Sequence, residues 1–192
     1  RWLTAPLSTD RRRGQVPLFD RAQKALYANG GFAAPEAWHA HRAMLSTPKR
    51  DLYDPRVASR IAAGEACRGA DFIQLARDRE AIVGEAAELL RGFDAYIAPT
   101  TATTAPTIAD AGASDEAYVK LNLLLLRNTG LVNALDGCAA SLPCHADGAA
   151  PVGFMVAGAQ GADAHVLAVA QSIEAVLQDD GDGGEAGGGA KK

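Results

Sequence analysis

The sequence has 192 residues, of which 48% are hydrophobic and 22% are charged, a composition typical of a globular chain with a substantial core. Its formal net charge of -4, with one basic run at Arg11, Arg12 and Arg13, argues against a nucleic-acid partner, which needs a concentrated basic face. Its three cysteines have no repeated spacing, which excludes the framework of a secreted disulfide scaffold.

No apolar run in the sequence is long enough to span a bilayer, which takes roughly 18 to 20 residues. The longest, around Leu121–Leu126, ends at Arg127. The first residues, RWLTAP, lack the charged and apolar regions of a signal peptide. We therefore expect a cytoplasmic chain with no membrane partner. Because the chain has no initiator methionine, we also expect that it has lost its natural beginning.

The first fifty residues have the pattern of helices interrupted by proline and glycine. Apolar residues recur at helical spacing from Pro17 to Tyr27, followed by a stop at Asn29 and Gly30. A second helix is expected to open with Pro35 at its first position, where the missing N–H of proline costs no hydrogen bond.

A long helical stretch is predicted from Asp54 to Phe93, broken near Gly69, before the hydrophobic period changes. The segment AYIAP, which ends at Pro99, predicts a short buried strand, and the polar residues 100–116 predict a long loop. Residues 116–131 predict another helix.

The last elements predict a strand pair covered by a helix. The segments CAASLPC (138–144) and PVGFMVAG (151–158) predict two strands joined by a turn, and 161–177 predicts an amphipathic helix. The glycine-rich tail cannot bury enough apolar area to order itself. Because the predicted strands are few, we expect their partner strands to lie in sequence outside this chain.

The stretch GCAASLPCH contains candidate nucleophiles but no favourable geometry. On a strand, Ser141 and His145 lie roughly 13 Å apart, which argues against a triad with Asp147. Cys144 and His145 are neighbours and point to opposite faces. With Cys138 they also lack a fourth metal ligand at a recognisable spacing.

Two further segments have a weak resemblance to ligand sites. His39 and His41 lie two residues apart on a predicted helix, so they point to different faces and cannot chelate one metal ion. The segment VAGAQGADAH lacks the glycine pattern of phosphate-binding loops, so a plain strand-to-helix turn is the favoured interpretation.

A resemblance to a known family rests on three segments: FDAYIAPTTATTAP (93–106), NALDGCAASLPC (133–144) and APVGFMVAGAQGADAHVLAVAQSIE (150–174). In this order they resemble the carboxy-terminal half of the amidase signature enzymes. The resemblance runs from about Phe19 to Leu177, and Cys138 stands where that family usually has proline. It implies an α/β fold, the carboxy-terminal part of an amidase-signature fold, with a mixed β-sheet surrounded by helices.

The resemblance also implies hydrolysis of a carboxylic amide to acid and ammonia. In the family one serine attacks the amide carbon, a second serine on a cis peptide bond relays the proton, and a lysine is the base. None of the six serines here is paired with another in a glycine-rich loop, and no lysine has the corresponding context. A chain without nucleophile, base and oxyanion-hole amides is not expected to turn over.

The domain expectation follows from that resemblance. Residues 1–178 are expected to form a partial amidase-signature domain whose amino-terminal catalytic half is absent, and 179–192 a disordered tail. We expect no catalytic residue, cofactor or metal ion within the chain itself. The stretch GCAASLPCH is then interpreted as the buried strand that supports the pocket.

The candidate pocket residues flank two predicted strands, where they could line a cleft, although loop capping and packing explain them equally well. They are Pro99, Thr100 and Thr101, and Arg127, Asn128 and Thr129.

One further candidate lies in the helical part. Arg60, in SRIAAG, resembles a position that the glutamyl-tRNA amidotransferase branch uses to hold a substrate carboxylate, although a structural ion pair is the commoner role of a helical arginine. The same branch has an acidic group near Leu126, where leucine cannot grip an amine. This difference favours a general amidase.

Two classes of function stay open. The chain is either the carboxy-terminal portion of an amidase, acting on a small amide substrate together with a complementing amino-terminal half, or a non-catalytic binding module derived from one. A fragment of a glutamyl-tRNA amidotransferase A subunit is a further alternative, and a homodimer is one expected assembly.

Overall fold

The computed structural model describes residues 2–4, 17–27 and 31–182. The described residues form two compact units, one of residues 17–86 and one of residues 2–4 and 87–182. The predicted mixed α/β class is confirmed: most elements are helices, and one small sheet is present. Among the described helices, none combines the length and the apolarity needed to cross a bilayer.

The unit of residues 17–86 consists of helices. They are α1 (Pro17–Tyr27), α2 (Ala33–Leu45), α3 (Pro55–Ala62) and α4 (Gly69–Leu90), whose last residues belong to the other unit, with two short 3-10 helices at Pro48–Leu52 and Ala63–Ala66. The break predicted near Gly69 is confirmed. The second helix begins at Ala33, two residues before the predicted start.

Local sequence signals explain why these helices begin and pack as they do. The Asp54 carboxylate caps α3 by accepting a hydrogen bond from the backbone N–H of Arg56 at 2.8 Å, and Pro55 occupies the first turn. Buried side chains of α2 and α3, Leu45, Ala58 and Ile61, then form a small apolar core. The helical spacing in the sequence is therefore matched by burial on one side of each helix.

The other unit contains a four-stranded sheet. Its strands are β1 (Trp2–Thr4), β2 (Ala95–Pro99), β3 (Cys138–Pro143) and β4 (Gly153–Gly158), in the order β1-β2-β4-β3. The pair β1 and β2 is parallel, whereas β4 is antiparallel to both β2 and β3. Its helices are α5 (Ile108–Gly112), α6 (Asp115–Ala134) and α7 (Asp163–Asp182).

Helix α7 covers one face of the sheet, as predicted for the last three elements. Val166 and Ala170 of the helix form a buried cluster with Ala95, Leu142 and Val156 of the strands. Because side chains alternate along a strand, the neighbours of these strand residues point to the opposite face. That face includes the side chains of Ser141 and Thr100.

The structure differs from the sequence predictions at two elements and extends a third. Strand β1 lies in a region predicted as helical, and α5 lies within the predicted loop 100–116. Helix α7 continues to Asp182, into the segment 179–192 predicted as a disordered tail. The rest of that tail lies outside the described residues, as do the predicted stop at Asn29 and Gly30 and the arginine run.

Helix α6 carries an exposed apolar stripe. The side chains of Val119, Leu123 and Leu126 are 48%, 63% and 48% exposed, and their spacing of four and three residues puts them on one face of the helix. The helix begins at a serine cap, where Ser114 Oγ accepts from the backbone N–H of Ala117 at 3.1 Å.

A close approach at Gly64 provides a test of the helical unit. A Cβ at this position would overlap the backbone carbonyl of Ala34, whereas a Cβ at Gly69 would meet nothing within 4 Å. We expect Gly64→Ala to lower the free energy of unfolding by roughly 3 kcal/mol and Gly69→Ala to leave it unchanged or slightly raised. Urea unfolding of both variants measures the difference. Equal midpoints would contradict the packing of α2 against the 3-10 turn.

Candidate functional site

Polar groups gather at the end of the sheet where β2 and β3 finish and β4 begins. The β2–β4 register pairs Pro99 with Phe154, and one step beyond it the backbone N–H of Thr100 donates to the carbonyl of Gly153 at 2.8 Å. Thr100 is therefore held as an extra rung of the sheet, although it lies outside β2. We call this region, with its hydroxyls and the helix residues that reach it, the polar sheet end.

Two hydroxyls lie in direct contact at the polar sheet end. The distance between Thr100 Oγ1 and Ser141 Oγ is 2.5 Å. A Cβ on Gly153 would lie 2.5 Å from Ser141 Oγ and 2.6 Å from Thr100 Oγ1, so the absence of a side chain there makes room for the pair. Each hydroxyl brings one proton, and one proton lies between the two oxygens. The pair can therefore donate one further hydrogen bond outward.

Helix α6 reaches the polar sheet end through Asn128. Its Nδ2 donates to the backbone carbonyl of Pro99 at 2.7 Å, and its Oδ1 accepts from Nε of Arg127 at 3.3 Å. One amide side chain thus ties a guanidinium to the backbone residue that precedes Thr100. Both ends of the amide have hydrogen-bond partners, which fixes its orientation.

The structure brings some of the predicted pocket residues together and uses others locally. Pro99, Thr100, Asn128 and Arg127 are linked at the polar sheet end by the bonds just described. The two remaining threonines bond to nearby backbone: Thr101 Oγ1 donates to the carbonyl of Thr103 at 2.8 Å, and Thr129 Oγ1 donates to the carbonyl of Leu126 at 3.3 Å.

Arg60, the seventh candidate, belongs to the helical unit. It is exposed in the last turn of α3, while Ala58 and Ile61 of the same helix are buried. A guanidinium in this position is accessible to solvent and to an anion.

Among the described residues, the two hydroxyls of the polar sheet end bond to each other. Within the described part of the chain, neither Thr100 nor Ser141 contacts a histidine or lysine side chain. His145 is exposed in the turn after β3. Across residues 2–4, 17–27 and 31–182, no three His, Cys, Asp or Glu side chains are grouped in a way that could hold a metal ion. What these hydroxyls can do chemically is to accept and donate hydrogen bonds.

The two cysteines of GCAASLPCH lie in different environments. Cys138 is partly buried, and its Sγ donates to the carbonyl of Ala159 at 3.4 Å. Burial first, and then the negative charge of Asp163, raise the pKa of the Cys138 thiol. Cys144 is exposed and donates weakly to the carbonyl of Val152 at 3.5 Å. The raised pKa favours the thiol form of Cys138, whose side chain packs against the buried cluster between the sheet and α7.

In the sequence, Ser141 stands out as a candidate nucleophile, but its contact with Thr100 is not predicted. Register explains the pairing: Ser141 lies opposite Met155, and Gly153 is two residues earlier on the same face of β4. Thr100 stands on the other side of Gly153. The signal in the sequence is Gly153, which lies near the start of a predicted strand. Glycine in a strand often marks a place where another group approaches the backbone closely.

A comparison with known protein families matches most of the chain to one family. A family model described as Amidase matches residues 17–167. The chain is 28% identical over 153 residues to the 2-amino-5-chloromuconic acid deaminase of Comamonas testosteroni. That alignment covers 79% of this chain and 33% of the relative.

Solved structures show the same fold. The urea amidolyase of K. lactis superposes with a TM-score of 0.72 at 23% identity, over 85% of this chain and 10% of that protein. A crystal structure of an amidase superposes with a TM-score of 0.63 at 26% identity, over 85% of this chain and 37% of that protein. The chain thus spans between 10% and 37% of the length of these relatives.

The close approach at Gly153 predicts a stability effect. We expect Gly153→Ala to lower the free energy of unfolding by roughly 2 kcal/mol, because the new methyl group displaces both hydroxyls. Gly112→Ala is the matched control, since a Cβ there meets nothing within 4 Å. Urea unfolding gives both values. Adding Ser141→Ala to Gly153→Ala should recover part of the loss, and no recovery would contradict the proposed clash.

The different environments of Cys138 and Cys144 predict different reactivity. A raised pKa leaves less thiolate at a given pH, so Cys138 should be alkylated by iodoacetamide more slowly than the exposed Cys144 near neutral pH. Peptide mapping by mass spectrometry at successive times measures both rates. Equal rates in the folded protein would show that Cys138 is not protected, and unfolding in urea should remove the difference.

Proposed function

The chain belongs to the amidase family, and from that membership we propose that it supplies part of the substrate pocket of an enzyme that hydrolyses carboxylic amides to an acid and ammonia. The observation that carries the proposal is the family match over residues 17–167, which includes the whole polar sheet end. The family is also the one that the sequence motifs resemble.

The hydroxyls of the polar sheet end can form hydrogen bonds that hold an amide in one orientation. The Thr100–Ser141 pair can donate one hydrogen bond to an amide oxygen or accept one from an amide nitrogen, because hydroxyl oxygens do both. Asn128 fixes the backbone at Pro99, so that Thr100 is held where the sheet ends. Groups held in this way bind a substrate without first losing their own freedom of rotation.

The nucleophile, the base and the oxyanion-hole amides are proposed to come from a complementing amino-terminal half. Among the described serines, Ser46 and Ser172 donate to backbone carbonyls four residues earlier in their helices, and Ser114 caps α6. These hydroxyls bond to the backbone of the helix that each one belongs to or borders. We therefore propose that the chain alone does not hydrolyse amides. We also propose that it is cytoplasmic and that its partner is a catalytic half.

Arg60 is proposed to meet a carboxylate on the substrate, as the family resemblance implies. Its exposure at the end of α3 is compatible with that role. The relative from Comamonas testosteroni is named for an acid, 2-amino-5-chloromuconic acid, so amides that carry an acid group belong among the substrates to be tested.

A binding module derived from an amidase is the second candidate function. The observation that favours it is that the contacts of Thr100 and Ser141 within the described residues include no base. Such a module would still bind an amide at the polar sheet end but would not hydrolyse it. The two proposed functions are distinguished by whether the addition of a catalytic half leads to amide hydrolysis.

The test follows ammonia release from aliphatic and aromatic amides, with this chain alone and with an amidase amino-terminal half. We expect no release by the chain alone and release by the mixture, reduced several-fold by Thr100→Ala through loss of a hydrogen bond. Ser172→Ala, which removes a hydroxyl that bonds within α7, is the control and should have no effect.

Two results would contradict the proposal. Release by the chain alone, abolished by Ser141→Ala, would make Ser141 a nucleophile. The absence of release from a mixture in which both halves are folded, together with amide binding by this chain, would favour the binding module.

A further inference from the structure

Two Asp–Gly pairs flank strand β3. Asp136–Gly137 precedes the strand, and Asp147–Gly148 lies in the connection between β3 and β4. An aspartate that is followed by glycine can isomerise through its own backbone, because glycine has no Cβ to keep its N–H away from the preceding side chain. Since the two pairs have the same sequence, a difference in their reactivity must come from their surroundings.

Hydrogen bonds hold both reacting groups of the first pair at the end of α6. The N–H of Gly137 donates to the carbonyl of Val132 at 2.9 Å. The carboxylate of Asp136 accepts a hydrogen bond from Nε2 of Gln160. A Cβ on Gly137 would lie 2.6 Å from the carbonyl oxygen of Gly158, so this backbone is packed closely against the end of β4. The N–H and the carboxylate can therefore meet only when the helix end opens.

The second pair lies in an exposed turn. Residues 144–152 are all exposed, and the turn is closed by a hydrogen bond from the N–H of Ala149 to the carbonyl of Ala146 at 3.0 Å. Gly148 has a φ of +77°, and a Cβ there would meet nothing within 4 Å. Among the described residues, neither the carboxylate of Asp147 nor the N–H of Gly148 has a hydrogen-bond partner. Both reacting groups of this pair are thus available to each other.

We propose that Asp147 is a modification site at which the protein isomerises spontaneously to isoaspartate, and that Asp136 is protected from the same reaction. The backbone nitrogen of Gly148 attacks Cγ of the Asp147 carboxyl group. The new N–Cγ bond replaces the C–OH bond, and the hydroxyl leaves as water with the hydrogen of the N–H. A second water then opens the succinimide ring at the main-chain carbonyl, so the main chain now runs through Cβ. One water is released and one is consumed.

The modification changes the loop that borders the polar sheet end. The connection leaves β3 at Pro143 and enters β4 at Gly153, the residue whose carbonyl accepts from the N–H of Thr100. Isoaspartate at Asp147 adds one atom to the main chain of this connection. The reaction needs neither a substrate nor a catalytic half, so it goes beyond the proposed function and does not depend on it.

The test follows isoaspartate at each pair in the full chain. The protein is incubated for several weeks near neutral pH and digested at intervals with chymotrypsin. Cleavage after Leu142 separates the two pairs, and cleavage after Leu177 removes the further Asp–Gly pairs of residues 180–183. Chromatography with electron-transfer fragmentation distinguishes isoaspartate from aspartate, which have the same mass. We expect isoaspartate to accumulate about tenfold faster at Asp147 than at Asp136, where the reaction requires local opening.

Two controls separate the effect of structure from that of sequence. In urea that unfolds the chain, both pairs should form isoaspartate at similar rates, because the hydrogen bonds that protect Asp136 are lost. Asp147→Glu keeps the charge and should stop the modification in this turn, because glutamate would have to form a larger ring. Asp51→Glu, at an exposed aspartate followed by leucine, is the matched control and should leave the rate at Asp147 unchanged.

Several results would overturn the proposal. Equal rates at the two pairs in the folded protein, or a faster rate at Asp136, would show that the hydrogen bonds at the end of α6 give no protection. An absence of isoaspartate at Asp147 from the folded protein, when the chain in urea forms it, would show that the turn does not allow the attack. A difference between the pairs that persists in urea would show that the fold is not its cause.

Discussion

Strand β4 is the element on which the sheet unit depends, because it pairs with β2 on one side and β3 on the other. Its residues from Met155 to Gly158 are buried, so both of its faces contribute to packing. Its first residue, Gly153, has a different role: it bonds Thr100 to the sheet and leaves space for two hydroxyls. One strand therefore provides both the apolar core and the close approach that defines the polar sheet end.

The sequence predicted the elements that have strong local signals. The strands β2, β3 and β4 are short apolar runs bounded by proline or glycine, and α7 has a clear apolar stripe, so these were confirmed. Strand β1 has three residues and exists by pairing with β2, which is a contact across more than ninety residues. Helix α5 begins at a cap in which Thr107 accepts from the N–H of Asp110, a signal within otherwise loop-like composition.

The site was predictable in its segments but not in its contacts. The positions of Pro99 to Thr101 and of Arg127 to Thr129 next to predicted strands indicated which residues could line a cleft. Which of these side chains meet depends on strand register, which one sequence does not determine. The pairing of Thr100 with Ser141 follows from the register of β4 with both neighbours, and the local bonds of Thr101 and Thr129 depend on loop and helix geometry.

The apolar stripe of α6 affects how the protein behaves in concentrated solution. Val119, Leu123 and Leu126 give the helix a water-facing strip that is relieved of its hydration when two molecules meet. Sulfate and other salting-out ions strengthen such contacts while they screen the charge of Arg127 next to the strip. The tendency of two molecules to meet through this strip therefore depends on the salt, and it is weakest where salting-out ions are few.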